Sequence, residues 1–383
     1  MTAFSQNSFS QKSFSPSSLR WYGAAPSAER NFSMALPDAQ ARRGQLYCPR
    51  GVYFDDNYLL VCDSGNHRLL VWKIEDDLPP SHSEADFVIG QPDFESEGPK
   101  LLHLPTGVTM HQGILLVADA WHHRILVWSK LPENGEPPDF IIGQDSLEQS
   151  LPNCGETVSD SSLYWPYGLA FVEDRLYIAD TGNRRVVYLD HFSKFSKRDF
   201  SQRVKFDGLL GQDSFVCAEE NRGAIGAASF RWAHDICASS ETLFIADAGN
   251  HRVLGFPRRQ SDAGAASLVL GQRDFVSWEE FPYRPQSPSV LRFPYGVSYD
   301  DGVLAVADTA NNRVLLFEHL PSHGAALPAQ AVIGQPDFEK NGENNWKEVT
   351  DKSLCWPYGL HLHKGKLAIA DSGNNRVLIF SIT

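Results

Sequence analysis

One hexapeptide returns six times along the chain. It reads Asp63-Ser-Gly-Asn-His-Arg68, Asp119-Ala-Trp-His-His-Arg124, Asp180-Thr-Gly-Asn-Arg-Arg185, Asp247-Ala-Gly-Asn-His-Arg252, Asp308-Thr-Ala-Asn-Asn-Arg313 and Asp371-Ser-Gly-Asn-Asn-Arg376. Successive aspartates stand 56 to 67 residues apart, so one supersecondary unit has been copied and its loops have diverged. No linker separates the copies. The 383 residues therefore read as a polar, flexible tail over 1–18 followed by one repeat domain over 19–383.

Each unit carries four short apolar runs rich in β-branched and aromatic residues, separated by turn residues. In the second unit these are Gly107-Val-Thr-Met110, Ile114-Leu-Leu-Val-Ala118, Arg124-Ile-Leu-Val-Trp128 and Asp139-Phe-Ile-Ile-Gly143. No extended 3.6-residue apolar period competes with this, so each unit is predicted to be a four-stranded antiparallel sheet. The hexamer joins the second and third strands. Its Gly-Asn is expected to supply the positive φ of a tight hairpin, and its Asp and Arg to pair across that hairpin. A small sheet that is apolar on both faces must stack on copies of itself, and radial stacking hides most strand edges. The fold class is thus all-β, a six-bladed β-propeller.

Five units end in a fourth strand closing with Gly-Gln, at Gly90, Gly143, Gly211, Gly271 and Gly334, whereas the sixth stops after its third strand. The N-terminus should supply the missing strand. The run Leu19-Arg-Trp-Tyr-Gly23 imitates Phe87-Val-Ile-Gly90 and is predicted to complete the last blade. The competing Gly44-Gln45 pair lies too close to Pro49 to play that part.

With its Ala-Asp strand ends, Leu-x-x-Pro-x-Gly steps and Asn-His-Arg or Asn-Asn-Arg tripeptides, the chain resembles the NHL-repeat family from about residue 45 onward. The resemblance implies a propeller; its members include protein-binding, RNA-binding and sensor modules and a metal-dependent lyase of related architecture. The chain departs from the pattern at Trp121-His122, at Ala310 and at Trp232-Ala-His-Asp235. The related lyases draw His ligands from several blades, and only the fourth unit here places His at the mouth, so their metal site does not carry over.

Equivalent positions of a propeller form rings about its axis. The residue after the Pro of each unit gives Arg50, Thr106, Tyr167, His234, Tyr295 and Tyr358, with Asp235 next to His234. Their chemistry varies from blade to blade in a way packing does not require, which marks them as the candidate ligand or partner site. The residues just before the Pro are Cys48, Leu104, Trp165, Trp232, Phe293 and Trp356, a collar of mainly large rings expected to fill the wedges between blades. His234 and Asp235 invite a general-base reading, yet neighbours on an extended chain point apart. The pairs His361-x-His363 and His122-His123 could each begin a zinc site but lack a recognisable third ligand. No nucleophile elbow, paired-carboxylate set or phosphate loop is present.

A net charge of −13 works against binding nucleic acid, which draws its affinity from clustered cations. No apolar run reaches the roughly 18–20 residues a bilayer demands. The N-terminus has no apolar core of a secretory signal, which points to the cytoplasm. Cys62 and Cys237 stand where sister units have Ala or Ser, so cysteines are expected as small core residues. The function expected is a non-catalytic module, with no cofactor, docking a protein segment or small ligand at the axial mouth. The alternative is a metal-assisted lyase or hydrolase with a channel site around His234 and Asp235.

Overall fold

In the computed structural model the described residues are 15–26, 41–132, 135–195, 203–258, 264–280 and 282–382. They form six antiparallel sheets, whose innermost strands start at Val52, Pro105, Pro166, Ala233, Pro294 and Pro357. Each innermost strand neighbours the next, and Pro357–His363 returns to Val52–Phe54, so the ring is closed. Among the described residues no helix is long and apolar enough to cross a membrane.

Closure is as the repeat predicts. Ser17–Gly23 pairs antiparallel with Arg376–Ser381 and completes the sixth blade, starting two residues earlier than the sequence suggested. The rest of the expected tail, residues 1–14, lies outside the described residues. Tyr22 is fully buried against Trp72 of the first blade, and its hydroxyl donates to the Pro79 carbonyl at 2.7 Å. The first and last of the described strands thus share one sheet and one core. The fourth blade has an unforeseen fifth strand, Gly324–Ala325, which pairs parallel with Leu268–Leu270 after crossing from the fifth blade.

The hexamer is more than a hairpin turn. Its aspartate Oδ2 accepts the Arg Nε at 2.7–2.8 Å in every blade, and both side chains are fully or almost fully buried. Its Oδ1 accepts a backbone N–H from the loop entering the same blade, for example Tyr47 at 2.6 Å and Tyr164 at 2.8 Å. The guanidinium reaches on to carbonyls of two further loops. Arg185 donates to Phe215, Ser159 and Ser162, and Arg252 to Phe275, Gly226 and Ser229. A planar five-donor fork is the side chain that can bind a carboxylate and three carbonyls at once.

The expected positive φ of Gly-Asn is not found. Residues two to four of the hexamer form a 3-10 turn, and the left-handed residue is the fifth, His67, His123, Arg184, His251, Asn312 or Asn375, at φ 52–56°. The glycine is there for close approach: a Cβ on Gly65 would lie 2.7 Å from the Tyr47 carbonyl oxygen, to which Gly65 N–H donates at 2.8 Å. Where Trp121 and Ala310 replace it, the same bond lengthens to 3.2 Å. The Asn at position four bonds the aspartate, and His122 does so in its place in the second blade, Nδ1 to Asp119 Oδ2 at 2.8 Å.

The fifth residue ties each blade to the next. Nδ1 of His67, His123 and His251 accepts the backbone N–H of Leu104, Trp165 and Phe293 at 3.1–3.2 Å. Oδ1 of Asn312 and Asn375 accepts that of Trp356 and Cys48 at 2.9 Å. His and Asn alternate because each offers an acceptor at the same reach from the backbone. Arg184 has none, and Trp232, the residue it would serve, turns its N–H to Asp247 of its own blade. The two departures from the repeat are one structural event.

Two outcomes follow. Tyr22→Ala should cost about 3–5 kcal/mol in denaturant unfolding, since it empties a core site at the seam where the ring closes. His123→Asn should keep the inter-blade acceptor and lose less than half of the about 1–3 kcal/mol that His123→Leu loses by orphaning the Trp165 N–H.

Candidate functional site

All seven residues singled out at the mouth line one axial cavity of about 280 Å³, apart from the question of what they bind. Five of them make a circle of touching side chains. Tyr167 and His234 have ring centroids 4.0 Å apart, His234 and Tyr295 4.2 Å, and Tyr295 and Tyr358 4.8 Å. The Arg50 guanidinium lies 5.0 Å over the Tyr358 ring, and its Nη1 donates to the Tyr167 hydroxyl at 3.0 Å, closing the circle. Arg50 spans the second blade to do so, which is possible because that blade contributes only Thr106, buried and donating to the Pro166 carbonyl.

The glycine that follows the ring residue in five blades packs against the ring-residue carbonyl of the next blade. A Cβ on Gly107 would collide with the Tyr167 carbonyl, and one on Gly359 with that of Arg50. The fourth blade replaces this glycine by Asp235. Its carboxylate turns into the wall, where Oδ1 accepts the Ile236 N–H and Oδ2 the Val297 N–H of the fifth blade, both at 2.9 Å. His234 and Asp235 therefore do not meet. Burial, with Arg50 close by, pushes the His234 imidazole down to about 3, and burial pushes the Asp235 carboxyl up to about 7. Each residue is committed to a neighbouring blade: His234 to the aromatic circle and Asp235 to the Val297 amide.

The collar departs from expectation. Trp165, Trp232 and Trp356 are 38%, 36% and 42% exposed, so these indoles rim the mouth instead of filling the wedges. Their placement follows from the backbone. Cys48, Leu104, Trp165, Phe293 and Trp356 all adopt φ of 47–53°, a left-handed conformation that bulky residues avoid. That conformation lets each N–H reach the preceding blade, and the inter-blade bond holds it. Trp232, which lacks the bond, also lacks the positive φ. Trp232 stacks on Phe293 at 6.1 Å and carries Arg231 at 5.3 Å, while Trp356 Nε1 donates to Glu343 at 3.0 Å.

The histidines of the other candidate pairs are occupied. His361 accepts the Phe54 N–H at 3.4 Å and packs on Tyr53 at 4.6 Å, and His363 bonds Asp56 at 2.9 Å. Both do face the same neighbouring blade, as alternation requires. No group of three His, Cys, Asp or Glu suited to a metal ion occurs among the described residues. All six cysteines are free thiols, with Cys62 buried in the core.

Sequence reasoning missed the asparagines that anchor the loops above the mouth. Asn153 and Asn183, Asn221 and Asn250, and Asn344 and Asn374 form reciprocal side-chain amide pairs, loop to hexamer. The signal was there to find: Asn153, Asn221 and Asn344 each stand ten residues after the glycine of a Gly-Gln.

A model of the NHL repeat matches residues 46–72, the first hexamer with its flanking strands. The first blade thus matches an NHL repeat, and its hexamer recurs in every blade of a closed six-bladed β-propeller. Among curated proteins none matches it. Similar solved structures include a protein of unknown function from Bacteroides thetaiotaomicron, 12% identical over 96% of this chain and 75% of that one, with a TM-score of 0.50. Virginiamycin B lyase from Staphylococcus aureus is 11% identical over 90% and 98%, with a TM-score of 0.47. The nidogen/laminin complex is 14% identical over 83% and 86%, at 0.45. At these identities the likeness is one of fold.

The buried imidazoles contribute to the pH response. His123, His234 and His361 are held down at about 4, 3 and 3 by burial, against 6.5 for the free side chain. The unfolded chain then binds protons first, so their contribution is whole above pH 6.5 and is lost as pH falls toward 4. Asp235, raised above its ordinary 3.8, acts in the opposite sense between pH 4 and 7. Each of the three imidazoles should therefore take up to about 1.4 kcal/mol per pH unit from stability below pH 6, against the opposing contribution of the buried aspartates. Denaturant midpoints from pH 7.5 to 4.5 measure it, and His123→Asn should remove one group's share of the slope.

Proposed function

We propose that the protein is a docking module that receives a protein segment or small ligand at the axial mouth. The observation that carries this reading is the layered build of that mouth. Three exposed indoles stand above a closed circle of Arg50, Tyr167, His234, Tyr295 and Tyr358, and a cavity lies on the axis. Exposed aromatic rings beside an oriented cation and phenols are the usual constitution of a binding hot spot, since they combine apolar area with a few fixed polar groups. The scaffold holds two of these indoles, Trp165 and Trp356, at the rim in a left-handed backbone conformation that bulky residues avoid.

Lyase or hydrolase chemistry around His234 and Asp235 fits the geometry less well. A general base must reach its proton, and His234 is stacked between two tyrosines while both Asp235 oxygens accept backbone amides. The binding reading uses the same residues as they stand. It also accommodates the blade-to-blade variation of the ring, because a ligand with different groups on its sides needs different partners around one axis.

Selection of a displayed random-peptide library on the intact protein tests the reading. Recovered peptides should lose at least about ten-fold in affinity on Trp165→Ala or Trp356→Ala, the cost of removing one anchoring ring. They should be indifferent to Lys364→Ala on the opposite face. Peptides that ignored both tryptophans, or a library that yielded none, would contradict it.

A further inference from the structure

The mouth has an uncompensated positive charge. Six arginines of the hexamers are buried and each is paired with its own aspartate. Arg50 is different: it lines the axial cavity, and among the described residues no carboxylate pairs with it. Its side-chain hydrogen bond among the described residues is to the Tyr167 hydroxyl, and its face rests on Tyr358. Among the described residues the one acid lining the cavity is Asp235, whose oxygens are taken by backbone amides in the wall. In a chain of net charge −13 a partly desolvated guanidinium without a counter-ion is costly unless an anion arrives to complete it.

The shape of the site limits how that anion comes. Adjacent rings of the circle stand 4.0–4.8 Å apart and Arg50 bridges the remaining gap, so a polypeptide cannot thread the axis at this level. What enters is the end of a chain. The hydroxyls of Tyr295 and Tyr358 line the same cavity and make no hydrogen bond among the described residues. Burial raises both phenols, which keeps them protonated as donors at neutral pH. One guanidinium and two phenolic O–H groups together match the two oxygens of a carboxylate.

We propose that the mouth recognises the C-terminal carboxylate of a peptide, with Arg50 as its anion anchor, Tyr295 and Tyr358 as donors, and the indoles of Trp165, Trp232 and Trp356 receiving the preceding side chains. The inference rests on the docking reading above and adds the chemistry of the group that docks.

Three random N-acetylated tetrapeptide pools test it against the intact protein, one ending in a free carboxylate, one amidated, and one amidated with a fixed internal glutamate. Binding is read from indole emission and from the shift in unfolding midpoint. The free-acid pool should bind at least about ten-fold more tightly than either amide, the scale of a hydrogen bond to a charged group. Arg50→Gln should remove that preference, and Arg50→Lys, which keeps charge but not the fork, should retain part of it. Midpoints of the unliganded variants confirm that they fold. Equal binding of all pools, weakened by Trp356→Ala but not by Arg50→Gln, overturns the carboxylate inference and leaves the docking reading standing. Preference for the glutamate pool overturns the terminal source. Binding by none overturns both.

Discussion

The structure depends on a hydrogen bond from one blade to the next. In five of the six blades the fifth residue of the hexamer, a His or an Asn, sits in the left-handed conformation and accepts the amide of the residue that precedes the following inner strand. That single contact links the turn of one sheet to the mouth of its neighbour. It also holds the acceptor's partner at positive φ, and so it sets where the collar side chains point. Fold and site are fixed by the same bond.

Beneath it lies the buried Asp–Arg pair. Ionised groups taken out of water need full hydrogen-bond satisfaction, and here the aspartate serves a loop amide, the hexamer Asn and the arginine, while the arginine serves three carbonyls. The network joins segments that a hairpin alone would leave apart: the entering loop, the turn, and the loop after the Gly-Gln. In the last blade the arginine Nη1 finds no partner among the described residues. Tyr22 with its core and the rest of this network together hold the ring's seam.

Much of this was legible in the sequence, and the reasons differ by level. Blade number and ring closure follow from counting hexamers and noticing that the chain ends one strand short. The convergence of Arg50, Tyr167, His234, Tyr295 and Tyr358 follows from symmetry, since equivalent positions of a closed ring share an axis. The turn was misread because Gly-Asn has two uses, and here glycine is demanded by the Tyr47 carbonyl pressing on it and not by its own φ. Exposure of Trp165 and Trp356 was not legible, because both sit on a left-handed backbone that no local rule assigns to Trp. Nor was the role of Asp235, whose partner Val297 lies 62 residues away. The equivalence of His and Asn, by contrast, was written in the hexamers from the start as a choice between two acceptors.

The tautomers of His67, His123 and His251 test the account most directly. Long-range nitrogen–proton NMR on imidazole-labelled protein distinguishes a ring protonated at Nε2 from one protonated at Nδ1. An Nδ1 that accepts the next blade's amide must be bare, so all three should be neutral Nε2–H tautomers at pH 7, with His123 remaining so down to about pH 5. An Nδ1–H tautomer, or titration of all three near the ordinary 6.5 of a solvated imidazole, would contradict it.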